Sequence, residues 1–282
     1  MKKAILILAT FVLTFSIQAQ VTTPQPSPLS KVEQKVGLTD VTIEYSRPGV
    51  KGRKIFGGLE AFDKMWRTGA NKNTIITFSD PVTINEYKLK AGSYAIFAKP
   101  GESMWEVYFY SDTNNWGTPE KWDESQVAAI AKVKVEPIPF TVETFTIDIN
   151  NIQTGGATLE MLWENTYIGV PFTVPTDSKV LASINDALNG SPKASDYYAS
   201  AAYYYSEGKD IKQAKEWIDK AMSMMDEPAF YQLRQQSLIY AKAGDTKGAI
   251  ELAKKSMEAS KEAGNMQYVK FNEESLKEWG AN

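Results

Sequence analysis

The amino-acid vocabulary of the chain changes once, near residue 177, and that change constrains what it can fold into. Residues 20–177 are rich in Val, Ile, Thr, Tyr, Phe and Trp, interrupted often by Gly and Pro. Residues 178–282 turn to Ala, Lys, Glu, Met and Gln, with proline only at Pro192 and Pro228. Branched and aromatic side chains suit a pleated surface, whereas small and unbranched ones lose little freedom in a helix. The expected fold is α+β in two domains: an antiparallel β-sandwich over 31–177, then an α-helical domain over 178–282. Residues 20–30, with three prolines among the first of them, read as an extended linker.

Within the first domain, eight strands are expected at Val41–Ser46, Thr74–Phe78, Val82–Leu89, Ser93–Ala98, Trp105–Tyr110, Val133–Val135, Phe140–Asn150 and Ala157–Asn165. Asn85–Glu86 and Ala91–Gly92 are turn candidates, and Asp123–Ala131 reads as a short helix. The second domain repeats itself. Asp210, Ala214, Lys220 and Met222 recur as Asp245, Ala249, Lys255 and Met257, each 35 residues on. That period and the small residues at close-approach positions resemble tetratricopeptide repeats, whose period is about 34. Asp210 and Asp245 read as helix starts, and Gln267–Trp279 as a capping helix. An unrelated helical bundle is the alternative.

At the N-terminus, Lys2 and Lys3 precede an apolar run from Ala4 to Phe15 and a small-residue segment ending near Ala19. This is the pattern of a cleaved export leader over 1–19, too short to span a bilayer as a membrane anchor. No cysteine follows it for lipid attachment. The expectation is a protein delivered to the periplasm or beyond, with no membrane span once the leader is removed. Loss of two lysines and no acid moves the net charge from −3 to −5, which argues against nucleic acid as a partner.

Composition then narrows the chemistry. The chain has no histidine and no cysteine. A Ser-His-Asp triad, a thiol nucleophile and an ordinary zinc, copper or non-haem iron site are thereby excluded. No metal or other cofactor is expected, and no catalytic residue is assigned. Glu160 and Glu164 share one face of a predicted strand, but four strand residues separate Cα atoms by about 13 Å, too far for paired glycosidase carboxyls. Asp112–Gly117 with Asp123 partly follows a calcium-loop spacing, yet Trp116 occupies a ligand position.

The segment 45–73 stands apart. Three of the four arginines in the chain, Arg47, Arg53 and Arg67, fall within 21 residues of each other, among glycines and beside Trp66 and Asn71. Guanidinium forks match carboxylate and phosphate groups, and glycines let backbone N–H groups approach a ligand. Arg47, Arg53, Trp66, Arg67 and Asn71 are therefore the candidate ligand-binding residues, for a small anionic or saccharide ligand. The competing reading has the arginines fastening an irregular loop to protein carboxylates and carbonyls. Trp116 and Trp122 flank a polar loop and form a candidate sugar-stacking pair.

Several motifs then gather into one resemblance. Pro26-Ser-Pro28, Gln34-Lys-Val36-Gly37, Ile43-Glu-Tyr-Ser-Arg-Pro48, Gly52-Arg-Lys-Ile-Phe-Gly57, Met65-Trp-Arg-Thr-Gly-Ala-Asn71 and Ala91-Gly92-Ser-Tyr94 stand in series, followed by the Trp105 strand. Over residues 25–175 the chain resembles the domain of unknown function family 2911, a family of exported bacterial proteins. The resemblance implies a domain boundary and no mechanism, and its hallmark motifs coincide with the arginine-rich segment. Three functions follow as expectations. The first is a cell-envelope binding or interaction protein, with a ligand at the arginine-rich loop and a protein partner on the helical repeats. The second is a glycan hydrolase or lyase working with carboxylates and tyrosines, drawn from Glu44, Asp112, Glu160, Tyr45 and Tyr94. The third is a purely structural scaffold. The absence of a catalytic constellation weighs for binding over catalysis.

Overall fold

A computed structural model describes residues 23–281; the expected leader, 1–19, lies outside them. The chain divides between Val174 and Pro175 into a β unit and a helical unit, three residues before the change of vocabulary.

Among the described residues the β unit has ten antiparallel strands in two sheets. The six-stranded sheet runs β1(Leu29–Val36), β2(Thr39–Ser46), β3(Ala70–Phe78), β6(Gly92–Lys99), β7(Met104–Tyr110), β8(Val127–Lys134). The four-stranded sheet runs β5(Tyr87–Leu89), β4(Val82–Ile84), β10(Gly156–Thr173), β9(Glu136–Gln153). Alternation decides which side chains face inward. On β2, Val41, Ile43 and Tyr45 are buried and their neighbours Asp40 and Glu44 are not. Ile76, Ile96 and Val107 from one sheet join Ile147, Leu159 and Met161 from the other in a single core.

Three expectations need correction. β1 begins at Leu29, inside the expected linker, and pairs with β2 from Leu29↔Ser46 to Val36↔Thr39. The expected helix at Asp123–Ala131 is only a single turn of 3₁₀ helix, Glu124–Gln126, after which β8 takes over. The last two strands are far longer than expected and form one 18-residue by 18-residue hairpin. Pro137 and Pro139 sit in β9, the edge strand, where a missing N–H costs no ladder bond. The Asn85–Glu86 turn does join β4 to β5, with Ile84 paired to Tyr87 and Asn85 at φ 52°.

The helical unit contains α1(Thr176–Asn189), α2(Ala194–Ser206), α3(Ile211–Ser223), α4(Phe230–Lys242), α5(Thr246–Glu262) and α6(Met266–Glu278). α2 packs with α3 and α4 with α5, and α6 closes against α5. Asp210 caps α3 by accepting from Lys212 N and Gln213 N; Asp245 caps α5 by accepting from Gly248 N. The two caps are 35 residues apart, and Ala214 and Ala249, one turn further on, are fully buried. The helical hairpin is therefore the repeating unit. Among the described residues, no helix is long and apolar enough to cross a membrane.

Candidate functional site

The connection from β2 to β3, residues 47–69, runs over the sandwich and is stitched to both sheets. On the β9 side, Val50 N donates to Glu143 O at 2.7 Å and Phe145 N to Pro48 O at 2.8 Å. On the β6 side, Trp66 and Ala98 exchange backbone bonds at 2.8 and 2.9 Å. The loop also delivers Phe56 and Trp66 into the core. Phe56 meets Trp105 at a ring-centroid distance of 4.7 Å, and Trp66 lies nearly parallel to Trp163 at 5.8 Å. Trp66 and Trp163 of that aromatic cluster line a cleft of about 550 Å³, a size that suits a small-molecule ligand.

Arg53 and Arg67 are aimed by their own backbone. Lys51 and Gly52 both have positive φ at the centre of a tight turn closed by Arg53 N donating to Val50 O. The Arg53 guanidinium then folds back, Nε to Val50 O at 3.0 Å and Nη2 to Gly49 O at 2.6 Å. Arg67 donates from Nη1 to Asn71 O at 3.0 Å. The turn that supplies this carbonyl is strained, because Thr68 (φ 56°) and Asn71 (φ 59°) both adopt left-handed backbone. Between them Gly69 (φ 139°) has no room for a side chain. A Cβ there would come within 3.0 Å of Ser46 O and Thr74 Oγ1.

A second loop braces Arg67 from outside. Gly117 N donates to Asn73 Oδ1 at 3.2 Å, and a Cβ on Gly117 would lie 3.2 Å from Arg67 Nη1. This close approach places the neighbouring Trp116, 74 % exposed, at the cleft.

The cleft is predominantly basic. Lys51, Arg53 and Arg67 line it together with a single acid, Glu60. Among the described residues no carboxylate lies within ion-pair distance of either arginine, and the Glu60 carboxyl accepts no hydrogen bond. Burial pushes Glu60 up to about 7, outweighing the pull of Arg67 and Arg53 in the other direction. Near neutrality it therefore exchanges between acid and carboxylate. Trp66 and Trp163, 4 % and 1 % exposed, line the cleft, and their indole N–H groups find no acceptor among the described residues. Buried donors without partners are uncommon, since each one costs free energy.

The candidate residues divide. Arg53, Trp66, Arg67 and Asn71 come together at the cleft, although the Asn71 amide is occupied by Ser27 O and Ser46 Oγ. Arg47 does not join them. It donates to Phe145 O at 3.0 Å and Thr146 Oγ1 at 2.8 Å, fastening β2 to β9 as the structural reading of the arginines expected. Trp116 and Trp122 do not form a stacking pair. Trp122 packs beside Tyr110 and Phe97 in a separate aromatic cluster. Sequence reasoning missed Glu60 and Trp163. Glu60 offered one signal, being an acid inside the arginine-rich loop. Trp163, on β10, offered none.

The carboxylates considered for catalysis are dispersed. Glu160 accepts from Asn150 and Tyr167, and Glu164, at a β-bulge with φ 53°, accepts from Ile55 N. Tyr45 is buried and bonded to the backbone of Ile147, and Tyr94 donates to Lys90 O. Asp112 accepts from Asn114 N in its own loop. Among the described residues no group of three potential metal ligands occurs.

No curated protein and no solved structure matches the chain. A family model described as a protein of unknown function (DUF2911) matches residues 27–172, from the edge of the cleft to β10. That match ends before the helices, so their likeness to tetratricopeptide repeats rests on period and small-residue spacing. The matched span is more than half of the chain and contains the whole arginine-rich loop, Glu60 and both stacked tryptophans: the chain belongs to the DUF2911 family.

Proposed function

We propose that the β unit is a non-enzymatic receptor for a small anionic ligand, in a protein exported to the cell envelope. The observation that carries this reading is the open positive charge of the cleft. Lys51 and two guanidinium groups with no carboxylate at ion-pair distance among the described residues line one cleft, beside the rings of Trp66 and Trp163. A carboxylate or phosphate supplies acceptors to the guanidinium N–H groups that the backbone carbonyls leave over and neutralises charge that the protein leaves open. Trp116, exposed at the same cleft, favours a ligand with a flat apolar face, and an acidic saccharide fits both requirements. A single acid does not make the carboxyl pair that most glycoside hydrolysis uses, which is why binding is preferred to catalysis. Export is inferred from the leader pattern, and the helical repeats are assigned to contact with a protein partner, as such arrays provide extended binding faces.

Calorimetric titration with phosphate, small carboxylates, hexuronates and neutral hexoses tests the reading. Saturable binding of an acid, weakened at least about tenfold by Arg67→Gln, is expected. If no acid binds, or Arg67→Gln alters melting temperature alone, the receptor model is wrong.

A further inference from the structure

The helical unit carries a second polar groove, formed without any residue of the β unit. Tyr231, Arg234, Gln235 and Leu238 recur at the spacing that puts them on one face of α4. Tyr198 of α2 and Tyr268 and Phe271 of α6 complete a groove of about 340 Å³.

Every polar residue that lines it can donate, and Arg234 can only donate. The tyrosine hydroxyls of 198, 231 and 268 make no hydrogen bond among the described residues. Burial holds Tyr198 above the usual phenol range, and the two neighbouring phenols add to this, so it stays a donor. Gln235 Nε2 is buried without a partner. Arg234 is fixed in place: Nη1 donates to Asn272 Oδ1 at 3.1 Å, Nη2 to Ser275 Oγ at 3.2 Å, and the guanidinium lies 5.6 Å from the Phe271 ring centre. Asn272 is itself held, donating to Ser256 Oγ and Tyr268 O. These partners are neutral, so the positive charge is oriented and uncompensated. Glu274, also on α6, acts on it only through space; its ion pair is with Lys270 at 3.9 Å.

Resting on the assignment of the helical repeats to contact with a protein partner, we infer that this groove binds an acidic peptide segment of that partner, its carboxylate held by Arg234 and its neighbouring side chains laid on Tyr231 and Phe271. Charge complementarity selects the acid, since the groove offers several donors and one unneutralised cation. Dimensions select a peptide. Tyr231 and Leu238 are seven helical residues apart, about 10 Å, the length of about three extended residues. Tyr231, 46 % exposed and with a hydroxyl that meets no partner among the described residues, leaves the groove open at its edge for a chain to run through.

An array of pentapeptides tests this on the whole chain, with Glu, Asp, Gln or Asn at the centre and varied apolar or aromatic residues on both sides. The best acidic peptide is then titrated by fluorescence polarisation. Saturable binding is expected, at least about tenfold stronger for Glu or Asp than for the matching amide. Arg234→Gln should weaken it by a similar factor. Because Arg234 also braces α6, Tyr231→Ala serves as a second variant; it breaks no hydrogen bond and should weaken binding while helical circular dichroism is unchanged. Equal binding of acid and amide peptides, no saturable binding across the array, or indifference to both variants would overturn the assignment. Competition by acetate or free glutamate as effective as that by the peptide would also overturn it, in favour of a site for small free acids.

Discussion

In the β unit, Arg53 and Arg67 share their cleft with Glu60, a half-buried carboxyl raised to about 7. In the helical unit, Arg234 shares its groove with phenols and a carboxamide and no acid. Their cores differ as well. The cleft stands on an aromatic cluster of Phe56, Trp66, Trp105, Phe145 and Trp163, assembled from residues far apart in sequence. The helical unit is packed largely on small and polar residues: Ala214, Ala249, Ala253, Ser256, Ser260 and Asn272 are fully buried, with Ile218 and Ile239. Large rings pooled from distant strands make a rigid floor that leaves indole donors over. Small residues repeated along helices let backbones approach, and the face they build recurs with the repeat. The first site carries its own titratable counter-charge; the second does not.

The largest test of this contrast is Trp163→Ala. Removing a fully buried ring under the cleft should cost about 3–5 kcal/mol of stability in urea denaturation, with loss of anion binding. A cost below about 1 kcal/mol would mean that the aromatic floor is not what holds the cleft.

Next comes pH. Neutral Glu60 leaves the arginines uncompensated, so anion affinity should fall above pH 7, by up to about tenfold per pH unit. Glu60→Gln should flatten that profile, and acidic-peptide binding at Arg234 should show no comparable slope between pH 6 and 8. Equal slopes at both sites would erase the distinction drawn between them.

Glu60 also makes a stability prediction. Its folded pKa is raised above the ordinary 4.5, so the ionised form is penalised in the folded state. The penalty is absent below about 4.5, grows as pH rises, and is complete above 7. Glu60→Gln should therefore stabilise the protein at pH 8, by about 1 kcal/mol after solvent screening, and leave it nearly unchanged at pH 4. Thermal melts at the two pH values give the sign directly.

The smallest effect concerns the repeat. Asp210→Ala and Asp245→Ala should each cost about 1 kcal/mol through loss of equivalent helix caps. A large inequality would show that the two hairpins are not energetically equivalent. The ion pair from Lys215 to Asp245 at 2.8 Å is part-exposed and adds little.

Much of this architecture was legible in sequence because it is local. The change of vocabulary, the 35-residue period and the Asn85–Glu86 turn each depend on a few neighbouring residues. β1 was missed because Leu29–Val36 is an edge strand with a mostly solvated pattern, LSKVEQKV, which offers little apolar alternation. The β8 segment VAAIAKVK carries alanines that fit a helix as well as a strand, and only the sheet beside it decides. Prolines 137, 139 and 171 made the final hairpin look shorter than it is. At the site, composition flagged the arginine-rich loop but could not separate Arg47 from Arg53 and Arg67. That distinction lies in which carbonyls each guanidinium meets after folding. Trp163 was illegible for the same reason. Its role comes from stacking on a residue almost a hundred positions earlier.

The cleft wall runs in sequence from Pro26 to Trp163, and this gives the site a place in time. As the chain folds, all three loop arginines are available long before β10 exists, and the loop cannot close until β9 offers Glu143 and Thr144 to Val50 and Gly49. Contacts of such long range form late and slowly. Ligand capture therefore reports completion of the whole β unit, not of the arginine-rich segment. A chain ending after Asn150 would carry every cation of the cleft and hold no ligand. In stopped-flow experiments, added ligand should slow unfolding while leaving the folding rate unchanged.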